Sequence, residues 1–177
     1  IFVNGKRVVP ARMQDIGIII EDPGFIPGMN AFKNLKLLAS IHHKIKDDRI
    51  KDVIRQVGLD PDSKQPAGKF SLGMRHRLGI AQAIIGDPEI IILDEPTVGL
   101  DPRQIIEIRE LIKELGKDHT VILSSHILPE ISAVCDYVII IARGRIVASD
   151  TLENLTKKYE GRNYVDMTVR ADEAKIR

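Results

Sequence analysis

The sequence is poor in several things that would narrow its chemistry. It has no tryptophan, only 4% aromatic residues and a single cysteine, Cys135. One cysteine excludes an intrachain disulfide and a cysteine-rich metal site, and it suits a reducing compartment. On its own, Cys135 reads as a small apolar core residue. With so few rings, a core must be built from Ile, Leu, Val and Ala, and the 44% apolar content of these 177 residues is ample for one domain. No charge of one sign dominates: 26 Lys and Arg stand against 25 Asp and Glu. That balance leaves no basic field of the kind nucleic-acid binding needs, so no nucleic-acid partner is expected. Long apolar runs are missing too. Those around Ile16–Ile20, Ile90–Leu93 and Tyr137–Ala142 fall far short of the roughly 20 residues that cross a bilayer, so any membrane role must pass through a partner. The opening residues Ile1 to Lys6 lack the basic-then-apolar layout of a signal peptide, and residue 1 is not methionine, so the start is expected to lie upstream.

What is present alternates between strand and helix patterns. Ile1–Val3 and Lys6–Val9 flank Asn4-Gly5, a pair that accepts the positive φ of hairpin turns. Ile16–Ile20 is a β-branched run stopped by Glu21-Asp22-Pro23-Gly24 and is expected to be a buried strand. Helical spacing follows from Asn30 to about Val57, with Leu35, Leu38, Ala39 and Ile41 on one face and Ile50, Val53, Ile54 and Val57 on another. Gly58 and Pro61 end it. Ser71 is placed to cap a helix whose Leu78, Ala81, Gln82 and Ile85 share a face, and Gly86-Asp87-Pro88 closes that helix. Ile90–Leu93 and Thr120–Ser124 are expected as buried strands joined through an amphipathic helix over Pro102–Leu115, a parallel crossover. A short helix over Leu128–Val134, a hairpin around Arg143-Gly144 and a helix near Leu152–Tyr159 complete the pattern. The expected fold class is α/β, with a helical block dividing it into two subdomains. In such folds ligands sit at the carboxyl ends of the parallel strands.

At one of those ends stands Asp94-Glu95-Pro96. An isolated Asp-Glu pair is usually two solvated carboxylates, but four apolar strand residues precede this one. A carboxylate leaving a buried strand is how P-loop ATPases hold Mg²⁺ beside nucleotide phosphates, a role that falls to Asp94. Glu95 is then placed to take a proton from, or orient, the attacking water. After it comes Thr97-Val98-Gly99-Leu100-Asp101-Pro102, and before it Phe70-Ser71-Leu72-Gly73-Met74-Arg75 with Arg77-Leu78 behind. Ser124-Ser125-His126 ends the next strand. Ser71 and Gly73 also have a physical case of their own, because a helix N-terminus offers free N–H groups to phosphate oxygens.

In that order these segments resemble the signature motif, Walker B strand, D-loop and H-loop of the ATP-binding cassette ATPases. The resemblance implies a P-loop NTPase core with a helical subdomain, the cofactors ATP and Mg²⁺, and sites by matching position. Glu95 and His126 are then catalytic. Asp94 holds the metal, Ser71 and Gly73 contact ATP held by an opposing subunit, and Asp101 reaches across to that subunit. Glu21 stands where most of the family has the Q-loop glutamine and is expected at the metal or the attacking water, without the amide's donor. The stretch Ile20 to Pro27 is similar to the branch that exports bacitracin-type and lantibiotic peptides. Leu72 replaces a glycine where the family's backbone approaches ATP, and Met74 replaces the usual glutamine. Weaker ATP binding across the dimer is expected from Leu72.

No G-x-x-x-x-G-K-[ST] occurs: Gly68-Lys69 has no glycine five places earlier and is followed by Phe70. The Walker A loop supplies most of the grip on the β- and γ-phosphates, so the chain alone is expected to bind ATP poorly and to be inactive, as an N-terminally truncated cassette. Residues 1–177 are expected to be one such domain: 1–26 the end of the nucleotide-binding subdomain with the Q-loop, 27–82 the helical subdomain with the signature, 83–148 the Walker B, D-loop and H-loop core, and 149–177 a C-terminal extension. The implied partners are an integral membrane permease and a second ATP-binding subunit, which place the protein at the cytoplasmic face of the membrane. Two rivals are a soluble cassette ATPase of translation or DNA repair and a non-catalytic dimerisation or regulatory subunit. The first would show a tandem cassette, a coiled-coil insertion or a basic stripe. The second has no chemical need for Asp94, Glu95 and His126 together.

Overall fold

The computed structural model describes residues 2–3, 6–7, 16–20, 23–41 and 45–159. The chain divides into two compact units, Ile1–Val134 and Cys135–Arg177. In the first unit β1 (Phe2–Val3) pairs antiparallel with β2 (Lys6–Arg7); the expected Asn4-Gly5 turn lies outside the described residues. β3 (Ile16–Ile19) is followed by α1 (Ala31–Ile41) and α2 (Asp47–Gln56). The single helical stretch expected from Asn30 to Val57 is thus two helices. Asp47 and Asp48 occupy the first turn of α2, where the positive end of a helix dipole favours them. A 3-10 turn (Ala67–Lys69) leads to α3 (Leu72–Ile84), and β4 (Ile90–Asp94), α4 (Pro102–Leu115), β5 (Thr120–Ser124) and α5 (Leu128–Val134) complete the unit.

β3, β4 and β5 form a parallel sheet in that order, with Ile18, Ile92 and Ile122 in one register row and Ile19, Leu93 and Leu123 in the next. The core is aliphatic as composition requires, Phe70 being the one buried aromatic among the described residues, beside Leu35, Ile54, Leu78, Ile91 and Leu115. α3 lies so close over β3 that the carbonyl of Ala83 stands above Gly17. Asn34, 5% exposed on α1, shapes the loop before it: its Oδ1 accepts from Ile26 N at 2.7 Å, and its Nδ2 reaches the carbonyls of Ile26, Met29 and Asn30.

The expectation of fully buried strands needs correction. Along β3 and β4, Ile19, Ile91 and Leu93 are buried, whereas Ile18 is 46% and Ile122 of β5 is 51% exposed. No residue of β5 is fully buried. An apolar run reports hydrophobicity; burial also needs cover, and α3 covers one face of the sheet.

In the second unit β6 (Tyr137–Ala142) and β7 (Arg145–Thr151) pair antiparallel across Arg143 and Gly144, both at positive φ as a type I′ turn demands. β7 runs three residues beyond the expected Ala148. α6 (Leu152–Tyr159) follows, its first turn held by Thr151 Oγ1, which accepts from Asn154 N. Cys135 is half-buried, and that burial, with the Asp136 carboxylate nearby, pushes its thiol pKa up, as befits an unreactive residue. Among the described residues no helix is long and apolar enough to cross a membrane.

Candidate functional site

Parallel pairing brings the carboxyl ends of β4 and β5 together, with Asp94 opposite Ser124. The Ser124 hydroxyl donates to Asp94 Oδ1, and the Glu95 amide donates to Ser124 O at 3.2 Å and to Ser124 Oγ at 3.2 Å. Beyond the strand the chain turns abruptly. Glu95 takes φ 46°, a left-handed conformation that costs a non-glycine residue about 1–2 kcal/mol. The turn aims its carboxylate at His126, which follows β5: His126 Nδ1 donates to Glu95 Oε1 at 2.8 Å. Glu95 Oε2 is buried and has no hydrogen-bond partner. The hydrogen bond to Glu95, and then its charge, raise the His126 pKa above the ordinary histidine value, with a smaller push from Glu130.

The segment after Glu95 is fastened on both sides. His76, buried on α3, has its Nδ1 2.6 Å from the Pro96 carbonyl. Thr97 Oγ1 donates to Glu130 on α5, and each of these two residues is 4% exposed. Gly99, at φ 76°, leaves room for Leu72: a Cβ there would lie 2.9 Å from Leu72 Cδ2. Asp101 caps α4, its Oδ1 accepting from Arg103 N at 3.0 Å and Gln104 N at 2.9 Å. Ser71 caps α3 as expected, accepting from Met74 N at 3.2 Å, and Gly73 is buried beside the Gln104 side chain. Arg77 ties the helical block to α4, donating to Val57 O at 2.7 Å and to Glu107 Oε2 at 2.6 Å.

Two parallel strands thus end with Asp94, Glu95 and His126 side by side, at the sheet edge where α/β folds take their ligands. A family model described as ABC transporter matches residues 2–98. This chain belongs to the ABC transporter family. Among curated relatives of this ABC chain, the bacitracin transport ATP-binding protein BcrA of Bacillus licheniformis is 42% identical over 167 residues, covering 93% of this chain and 53% of that protein. The ABC transporter ATP-binding protein YdbJ of Bacillus subtilis is 43% identical over 150 residues, or 84% and 49% of the two. The chain therefore spans about half the length of these relatives. The lantibiotic transport ATP-binding protein SrtF of Streptococcus pyogenes is 36% identical over 162 residues, covering 91% and 67%. A solved ATP binding subunit of an ABC transporter superposes with TM-score 0.74 at 27% identity, over 92% of this chain and 70% of that one.

Of the residues singled out from sequence, the ABC fold brings Asp94, Glu95 and His126 together and sets Ser71 and Gly73 on the first turn of α3. Asp101 stands at the head of α4. Glu21 lies outside the described residues. Leu72, a departure from the ABC signature, is half-buried against Gly99. His76 and Glu130 escaped the sequence reading, although a signal existed. Each is the polar member of an apolar helical stripe: His76 with Ile80, Ala83 and Ile84, and Glu130 with Ile127, Ile131 and Val134.

Proposed function

We propose that the chain is the ATP-binding and ATP-hydrolysing part of a transporter subunit that powers export, with a peptide antibiotic or similar compound as the cargo. The names of the bacitracin and lantibiotic relatives support the cargo class. The observation that carries the chemistry is the Glu95 carboxylate, one oxygen on His126 and the other buried and unpartnered. In this reading the Glu95 carboxylate takes the proton of the water that attacks the γ-phosphate, oriented for it by the imidazole on Oε1. His126, itself exposed, reaches toward the γ-phosphate. Ser71 and Gly73 offer the N-terminus of α3 to ATP held by an opposing copy, and Asp101 faces that copy.

Mg²⁺ fits the residues present. Asp94 is a carboxylate oriented by the Ser124 hydroxyl, and hard oxygen donors suit this ion. When bound, the ion supplies charge neutralisation at the phosphates. Asp94, with Glu21, would hold it.

Residues 27–82 are the helical subdomain in this reading and 83–148 the catalytic core, with 1–26 carrying the Q-loop and 149–177 an extension. A permease and a second ATP-binding subunit are the partners, and they keep the protein at the cytoplasmic face of the membrane. The 177 residues alone, without a Walker A sequence, are expected to turn over ATP negligibly. The test is Glu95→Gln in the protein supplied with a phosphate-binding loop. Turnover should fall by about 100-fold or more while ATP binding is kept; retained steady-state hydrolysis removes Glu95 from the role of base.

A further inference from the structure

Glu95 and His126 do not meet alone. They belong to two chain segments, Glu95–Thr97 and His126–Glu130, joined by two rungs. The outer rung is Glu95 Oε1 to His126 Nδ1, with the His126 side chain 71% exposed. The inner rung is Thr97 Oγ1 to Glu130, both ends 4% exposed. One residue separates the rungs on one segment and three on the other, so fixing the inner rung fixes the spacing at the outer one. A buried carboxylate without its hydroxyl partner is costly, which makes the inner rung hard to open.

A third tie comes from the other side. Pro96 O accepts, so His76 must carry its proton on Nδ1 to meet it at 2.6 Å. Pro96 lies between Glu95 and Thr97, and the backbone of Glu95 is in the left-handed region, a conformation that persists when surrounding contacts over-determine it. The contacts that do so are those of β5, α3 and α5: Ser124, His76 and Glu130.

We propose that His76, Thr97 and Glu130 are positioning residues that hold the Glu95 carboxylate against His126. Their importance to catalysis rests on the reading of Glu95 as the base; the geometry does not. None of the three touches the reacting atoms. They act by denying the strained turn its relaxed alternatives, so the exposed rung is kept by buried ones on two different helices.

The test follows the His126 ring Cε1–H signal by NMR in the 177-residue chain from about pH 5 to pH 9. Glu95→Gln defines the midpoint of a His126 without its partner. Thr97→Val, which keeps shape and the Glu130 charge, and His76→Leu should each lose more than half of the difference between wild type and Glu95→Gln. Thr97→Ser keeps the hydroxyl, and His76→Asn puts an N–H donor at the same δ position; both should restore the wild-type midpoint. Amide spectra show whether each variant is folded, and where His76→Leu is not, the isosteric Thr97→Val decides. A folded Thr97→Val chain with a wild-type His126 midpoint overturns the proposal. Because the readout needs no turnover, it can fail while Glu95 remains the base, and it can succeed if Glu95 is not.

Discussion

His126 Nδ1 donates to Glu95 Oε1 across 2.8 Å and thereby joins the end of β5 to the end of β4. A histidine that gains a carboxylate on folding has a raised pKa, and the dominant cause is this hydrogen bond.

The sign of the resulting pH dependence follows. The folded value lies above the unfolded one, near 6.5, so the contribution to stability is fully present below about pH 6.5 and is lost as pH rises through the raised value. Urea unfolding of wild type and His126→Ala at several pH values checks it: the gap between them should be wider on the acid side of the His126 midpoint than on the alkaline side. A gap that widens with rising pH contradicts the assignment.

Leu72 and Gly99 are expected to behave as a matched pair. Gly99→Ala places a methyl at positive φ and 2.9 Å from Leu72 Cδ2, and should cost about 1–2 kcal/mol. Leu72→Ala in the same chain should recover the steric part and leave the backbone part. A double-mutant cycle by urea denaturation measures the recovery; strictly additive losses would show that the two do not press on each other.

Ser71 as a cap and Asp94 and Glu95 at a strand end were legible because their signals lie within one turn or strand of themselves. His126 was singled out only through the order of the motifs that resemble the family. The ties between Pro96 and His76 and between Thr97 and Glu130 span 20 and 33 residues, and they exist only once α3 and α5 are docked. Leu72 is a similar case. The sequence marks it as a departure from a glycine, and only the fold shows that a second glycine, Gly99, receives it.

Asn34 is expected to be the costliest polar side chain to remove from the helical block. Asn34→Ala leaves Ile26 N without its acceptor and takes a donor from Ile26 O and Met29 O, a loss of about 2–3 kcal/mol. Asn34→Asp should do no better, since it turns a donor amide into an acceptor facing those carbonyls. Thermal unfolding of both variants checks the order. Either one melting with wild type would mean that the loop before α1 does not depend on this amide.

The one-sided cover of the sheet gives adjacent, identical residues different meanings. Ile18 and Ile19 are neighbours on β3, yet Ile19 is 8% and Ile18 46% exposed. Ile19 is held to its size and shape by what it packs against, while Ile18 answers only to the pleat's preference for a branched side chain. In the described residues the strands bury the face toward α3. Freedom to accept a hydroxyl in place of a methyl should therefore switch on and off at every step along them, in phase with the pleat.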